Sequence, residues 1–423
     1  MFKLIKKSEY FKSVFVLVSG TLIAQLISYA LSPLISRLYS PTEMSFLTLF
    51  IRIISFVAVL STARYEIAFP IPKRDEHAFS LYRSTFIFSI FLSFISFLGV
   101  FIIDIYDFQK ENLDSILYYI PIGVFFVSFN SQGLNWAIRK KDFNTINLSK
   151  VLQSSINSVF CVIVGFLSFG IHGLIISFLI SLLFANSPFF FVFFRINSKF
   201  SYKGRNKVML KLYSEFPKIN LPHVLLDLSK DLIVAFYLIY TFDKEVLGLY
   251  DFTYRMLRIP IGLVGVSISQ VLFKNTVDLI AEKKGILKIV KKTIFILFSI
   301  SIMPFAILFL FGEEIFSFVF GENWIKAGLY AEIMAPWLMI NFILSPVSQI
   351  PTVLKQQRKF FQFSAISIFV LLFTLFLNDI FPDSTFNFQE ILIFISVGQF
   401  ICQTCILIWI LKIANQSKFE SYY

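Results

Sequence analysis

Met44–Phe69 reads MSFLTLFIRIISFVAVLSTARYEIAF, an apolar run long enough to cross a ~30 Å hydrocarbon core at about 1.5 Å per residue. Arg52 and Arg64 interrupt it. An arginine at the centre of a membrane helix costs about 2.5–3.5 kcal/mol on insertion scales, so one retained there marks a candidate site facing a bundle interior or a water-filled cavity. Runs of similar length recur at 11–36, 79–103, 115–138, 148–169, 171–194, 219–241, 246–272, 292–312, 328–351, 360–378 and 389–412. With 44–69 they predict twelve transmembrane helices. At 57% hydrophobic and 15% charged residues, the composition lies far from that of a soluble domain. The expected fold class is an all-α polytopic membrane protein.

A net charge of +12 could signal nucleic acid, but the distribution of the charge excludes that partner. With the N-terminus cytoplasmic, only Arg37, Lys110, Lys244 and Lys326 fall in outer loops, and Arg52, Arg64, Lys230, Arg255 and Arg258 fall within helices. The remaining lysines and arginines lie in inner segments or within the inner ends of the spans, as the positive-inside rule requires. Both termini are therefore expected in the cytoplasm. Lys283–Lys284 and Lys291–Lys292 are topology signals first and anionic-lipid contacts second. The outer connection holding Asp104, Asp107, Glu111 and Asp114 is acidic.

No connection is long enough to be a domain. The longest, 195–218, carries Arg195, Lys199, Lys203, Arg205, Lys207, Lys211 and Lys218 and divides an expected six-helix bundle, 1–194, from a second, 219–423. The halves share a weak repeat. Matching Ser45 to Gly248 aligns Glu43-Met44-Ser45-Phe46-Leu47 with the stretch from Glu245 to Tyr250, and brings Arg52 onto Arg255. Both copies enter from the outside, so the repeat is parallel, and corresponding helices are expected to face each other across a central cleft.

Asp251, Arg255 and Arg258, spaced by four and three, share a helix face. Within an unbroken helix 246–272 both arginines lie too deep to snorkel easily, and the planar guanidinium fork suits phosphate. Arg52 and Arg64 sit closer to the ends of their helix, where snorkelling competes with a cavity role. On the first helix Gln25, Ser28 and Ser32 form a polar stripe that either lines a cavity or glues helices together, and Pro33 can bend it. Asp227, Lys230 and Asp231 cluster within about a turn, with His223 one turn before. That cluster is either self-neutralised or an ion-coupling site, where burial and a lysine neighbour move a carboxylate's pKa. Glu66 and Asp251 are further coupling candidates. Glu332 reads as interfacial.

Cys161, Cys402 and Cys405 lie in apolar spans, without the polar setting of a metal or redox site. The basic, apolar start lacks a convincing cleavage site and reads as a retained first helix. Phosphate-loop, dinucleotide and H-E-x-x-H motifs are absent, so no cofactor, metal or enzymatic activity is expected, and ATP is not a direct fuel through this chain. Prolines within spans, including Pro260, Pro304, Pro336 and Pro346, suit bending. The 56 phenylalanines, beside 4 tryptophans, read as apolar filler facing lipid.

Three stretches carry a resemblance: Ser19-Gly20-Thr21-Leu22-Ile23-Ala24-Gln25, Leu38-Tyr39-Ser40-Pro41-Thr42-Glu43 and Ala63-Arg64-Tyr65-Glu66-Ile67-Ala68. Together they resemble the Wzx-type O-antigen flippases, in the polysaccharide transporter branch of the multidrug/oligosaccharidyl-lipid/polysaccharide exporter superfamily. The match is strongest over about the first 80 residues. Family members often carry Gly where this chain has Ala63 and Ser45. The resemblance implies a V-shaped pair of six-helix bundles in the bacterial inner membrane, with a cleft lined by the first, second, seventh and eighth helices. It implies a substrate, an oligosaccharide on undecaprenyl diphosphate moved to the periplasmic leaflet, and polysaccharide polymerase machinery as a partner beside membrane lipid. The arginines would hold the diphosphate. A cation-coupled multidrug exporter of the same superfamily is the first alternative, disfavoured by an arginine-rich interior. A membrane-embedded polymerase or glycosyltransferase is the second, disfavoured by the short outer loops.

Overall fold

The computed structural model describes residues 2–105, 114–198, 205–259, 265–282, 284–381 and 385–416. Asp107, Lys110, Glu111, Lys199, Lys203, Pro260 and Lys283 lie outside them. The principal helices are α1 (Phe2–Leu38), α2 (Pro41–Thr62), α3 (Asp75–Ile105), α4 (Ile120–Lys140), α5 (Phe143–Phe166), α6 (Gly170–Asn197) and α7 (Arg205–Leu212), followed by α8 (Leu221–Thr241), α9 (Lys244–Leu257), α10 (Val266–Ala281), α11 (Leu287–Phe320), α12 (Ile325–Val347), α13 (Gln357–Leu375) and α14 (Phe388–Gln416). Among the described residues, nine stretches are long and apolar enough to cross a membrane: α1 from Ser19, α2, α3, α5, α6, α11, α12 with its flanking turns, α13 and α14. This is the all-α polytopic fold the sequence predicts. The other three expected spans are also helical but do not meet that test. The α4 helix carries Asn130, Gln132 and Asn135, α8 carries Asp227, Lys230 and Asp231, and the expected span 246–272 is occupied by α9 and α10 instead of one helix.

Local sequence sets the helix ends. Pro41 opens α2 with its φ already preset. Ser40 caps the helix by accepting from the Glu43 amide, while Glu43 Oε2 accepts from the Ser40 amide at 2.7 Å. This reciprocal pair satisfies two otherwise orphaned donors. At the other end Ala63 and Arg64 take left-handed φ of 47° and 61°, and Tyr65–Ala68 forms one short 3-10 turn. The expectation of a helix running to Phe69 is therefore corrected.

The chain forms two compact units, Met1–Phe236 and Tyr237–Tyr423, divided inside α8. The core of the first unit is aromatic. Phe69, Phe79, Tyr82, Phe129, Trp136 and Phe193 are all buried in one cluster. Phe129 stacks on Phe190 at 4.2 Å and Tyr82 meets Phe193 edge-on at 4.9 Å. Phenylalanine is thus a packing element of this unit as well as a lipid-facing residue. The offset and edge-to-face pairs each add about 0.5–1.5 kcal/mol beyond burial.

In the second unit α11 and α12 cross at two glycines. A Cβ on Gly328 would meet the Gly312 carbonyl oxygen at 2.4 Å. At this crossing α11 is broken, with Phe311 at φ −137° and ψ 28°, and the Glu313 amide donates to Glu332 Oε1 at 3.1 Å. Glu332 thus satisfies a donor near the break, beyond the interfacial role its sequence position predicts. On the other side, Phe252 of α9 lies 4.1 Å from Trp324 and the Thr253 hydroxyl donates to the Ala327 carbonyl at 2.9 Å.

Candidate functional site

In the first unit the bounds of α2 separate two arginines that the sequence treats alike. Arg52 falls at mid-helix, where snorkelling is least available. Its Nη1 donates to the Asp231 carbonyl of α8 at 2.6 Å, so α2 and the charged cluster of α8 meet, a contact the sequence spacing does not reveal. Arg64 is not on the helix at all. It follows the left-handed Ala63, its side chain is 22% exposed, and Nη1 lies 3.3 Å from Glu66 Oε1. This ion pair gives Arg64 a local partner and weakens its expected role as a substrate ligand.

Glu66 is 1% exposed, and its Oε2 has no hydrogen-bond partner. Burial pushes this carboxyl above the ordinary glutamate range, outweighing the downward pull of hydrogen bonds and of the Arg64 charge. Burial with one oxygen unsatisfied thus raises the pH at which this carboxyl gives up its proton. Its position is held from α4. Arg139 donates Nη1 to the Phe69 and Pro72 carbonyls at 2.9 and 2.7 Å, and Nε and Nη2 to Asp75 Oδ1 at 3.1 and 2.9 Å. Nothing in the spacing of Arg139 relative to Glu66 announces this clamp, which depends on the return of α4 beside the α2–α3 connection.

Of the two readings of the α8 cluster, the contacts match the self-neutralised one. His223 and Asp227 are 3.9 Å apart, and Lys230 and Asp231 are 3.6 Å apart. The Asp227 and Asp231 side chains are 60% and 54% exposed. Protein burial, the ground on which the sequence proposed proton uptake here, is missing at both carboxylates, and Glu66 meets that condition instead. Gln25 lies on α1 with its Oε1 buried and without a partner. The neighbouring Ser28 and Ser154 hydroxyls are 2.8 Å apart, so at Ser28 the polar stripe joins α1 to α5.

In the second unit Arg255 occupies the last turn of α9 and Arg258 its C-cap. They are not deep within one long helix, because α9 ends at Leu257. Both are exposed. The Arg255 guanidinium lies 5.7 Å from the Phe252 ring centre. Arg258 lies 5.1 Å from that of Tyr254 and donates to its hydroxyl at 3.2 Å. Cations at a helix C-terminus complement its dipole, which supplies a structural reason for both. Asp251 stands one turn before Arg255 on α9. A separate cavity of about 430 Å³, lined by Phe309, Glu332, Pro336, Ser396 and Phe400 among others, includes none of these arginines.

Residues 34–328 match the family model described as polysaccharide biosynthesis protein. No curated protein matches the chain. Among solved structures, an inward-facing multidrug resistance MATE family transporter of the MOP superfamily aligns with a TM-score of 0.67 at 17% identity, covering 96% of this chain and 99% of that one. A MOP superfamily transporter from Pyrococcus furiosus, for which a binding pocket of reverse polarity suggests a different function, aligns with a TM-score of 0.61 at 18% identity over 97% of each chain. At these identities the likeness is one of fold. The chain is a multi-pass membrane protein with a MATE-like fold, and it belongs to the polysaccharide biosynthesis protein family.

Proposed function

We propose that this protein is a flippase that carries an undecaprenyl-diphosphate-linked oligosaccharide, an O-antigen or capsule repeat unit, across the bacterial cytoplasmic membrane by alternating access. The observation that carries the proposal is a guanidinium at the middle of a membrane-spanning helix, Arg52 on α2, in a chain of a polysaccharide biosynthesis family. Arg52 holds the diphosphate while the lipid tail stays in the bilayer, Gln25 offers a further polar contact within the first unit, and Arg255 and Arg258 at the end of α9 are the second unit's own phosphate-binding candidates. No bond in the substrate is made or broken. Coupling runs through Glu66, whose burial disfavours its charge, with Arg64 as its local counter-charge. Asp227, Lys230, Asp231 and Asp251 serve electrostatic balance along α8 and α9. Polysaccharide polymerase machinery is the expected downstream partner.

Complementation of a flippase-null strain tests this reading, scoring surface polysaccharide at matched protein level. Wild type restores it, and Arg52→Ala with Arg255→Ala abolishes the restoration. Full restoration by the double variant removes the arginines from the mechanism, and failure of the wild type removes the function. A second reading, cation-coupled multidrug export, is favoured by one observation. The 430 Å³ cavity is chiefly apolar and contains a single carboxylate, Glu332, a setting that suits a lipophilic cation.

A further inference from the structure

We infer that Lys150, held by Thr21, forms a second anion site at the α1–α5 seam, one that takes the phosphate of a lipid. Lys150 lies within the candidate span Phe143–Phe166, roughly 10 Å along α5 from its start at the helical rise per residue. Its Nζ donates to Thr21 Oγ1 of α1 at 3.0 Å, and among the described residues that hydroxyl is its one polar partner. An ammonium has three donors, so two are left for a ligand. No carboxylate among the described residues pairs with it, although a charge inside a membrane helix is costly to leave without a partner.

The surroundings form a built site. The donors at this seam are the hydrogens of the Lys150 ammonium, and Thr21 Oγ1 holds that ammonium in place. The helices approach closely because residue 20 is glycine: a Cβ there would lie 2.1 Å from Asn147 Cγ. The seam continues through Ser28 and Ser154, and the Ser154 hydroxyl also meets the Ala24 carbonyl. Lys150 and Thr21 are each only partly covered, which leaves the ammonium open to a ligand.

The depth selects the ligand. A cation about two turns inside the basic end of a span, just beyond Arg139, Lys140 and Lys141, stands near the boundary between headgroups and acyl chains. A lipid phosphate reaches that level without leaving the membrane, and lysine binds phosphate as a point charge. The chemistry is shared by an undecaprenyl diphosphate and by an ordinary anionic phospholipid. The first source rests on the flippase reading and would make this a loading site for substrate.

The test is native mass spectrometry of the full-length protein in detergent, titrated separately with undecaprenyl diphosphate, phosphatidylglycerol and inorganic pyrophosphate. Wild type, Lys150→Gln, Lys150→Arg and Thr21→Val are compared. Loss of one charge-assisted hydrogen bond weakens binding about tenfold. Lys150→Gln is therefore expected to lose about that factor for at least one of the two lipids, and Lys150→Arg to stay within about twofold of wild type. Dependence confined to undecaprenyl diphosphate assigns the substrate, and dependence confined to phosphatidylglycerol assigns a structural lipid. Lysine-dependent binding of pyrophosphate alone, or equal binding of both lipids by wild type and Lys150→Gln, overturns the site. If Lys150→Gln does not run as a single species, Thr21→Val carries the same comparison, with a smaller expected loss. Arg52→Ala, measured in parallel, separates the two claims. If it loses the diphosphate while Lys150→Gln keeps it, the flippase reading stands without this site.

Discussion

Arg139→Ala removes the clamp that fixes the connection between α2 and α3, and the structure sets the size of the effect. The arginine side chain is 8% exposed, whereas Asp75 is 45% exposed and keeps Lys140 as a partner. The Asp75 contribution is therefore that of a solvent-screened pair, no more than about 1 kcal/mol. The Phe69 and Pro72 carbonyls are another matter, because both residues are buried. Leaving buried acceptors unsatisfied costs about 1–3 kcal/mol. Together these give about 2–4 kcal/mol, or a fall in Tm of roughly 5–15 °C for a unit of this size. The variant Arg139→Lys restores the charge, but a single ammonium cannot reproduce the planar fork that serves three acceptors, so it recovers less than half. Thermal unfolding in detergent at one fixed heating rate measures this, the rate being held because such unfolding is generally irreversible. An Arg139→Ala protein within about 2 °C of wild type, or equal losses for the Ala and Lys variants, refutes the reasoning.

Ala63→Gly relieves a left-handed backbone worth about 1–2 kcal/mol, less the about 0.4–1 kcal/mol lost to a freer unfolded chain. The variant is expected to be slightly more stable, and a lower Tm would contradict the strain. For Glu66 the folded state favours the protonated form. Its burial penalty is thus absent below the ordinary glutamate range, grows as pH rises through the elevated folded pKa, and is complete above it. Wild type should lose stability relative to Glu66→Gln as pH rises through that window. A stability difference between the two that does not change with pH would show that the carboxyl is not perturbed. Gly328→Ala sets a Cβ against the Gly312 backbone, which no side-chain rotation relieves. A loss of about 1–3 kcal/mol or more is expected, and an unchanged melting curve would contradict the close crossing.

The helical membrane fold was legible because apolar length is a property of the chain alone. The presence of Arg52 inside a span was legible too, but its mid-helix depth was not, because that depends on where α2 ends. That end was not legible. Ala63 and Arg64 adopt left-handed φ without a Gly or Pro to announce it, and tertiary packing of the aromatic cluster decides the turn. The early end of α9 did have a signal, since Pro260 stands three residues beyond Leu257, a common spacing for a helix stop. Taking 246–272 as one span overrode it and put Arg255 and Arg258 too deep. Lys150, Arg139 and Glu332 owe their surroundings to partners 129, 70 and 19 residues away. One-dimensional spacing carries no record of such pairings. Hydropathy treated Lys150 and Arg139 as charges near a membrane boundary, when both are ordered by neighbouring helices.

The central claim is that mid-membrane arginine holds a lipid-linked diphosphate during translocation. Its most direct test is the rate at which a fluorescent undecaprenyl-diphosphate oligosaccharide crosses the bilayer of liposomes containing the purified protein, compared with the same protein carrying Arg52→Ala. Wild type is expected to move the lipid well above protein-free vesicles, and Arg52→Ala to reduce the rate by about tenfold or more, the value of one charge-assisted contact. Equal rates for the two proteins, or transport of a lipophilic cation with none of the diphosphate lipid, would contradict the account.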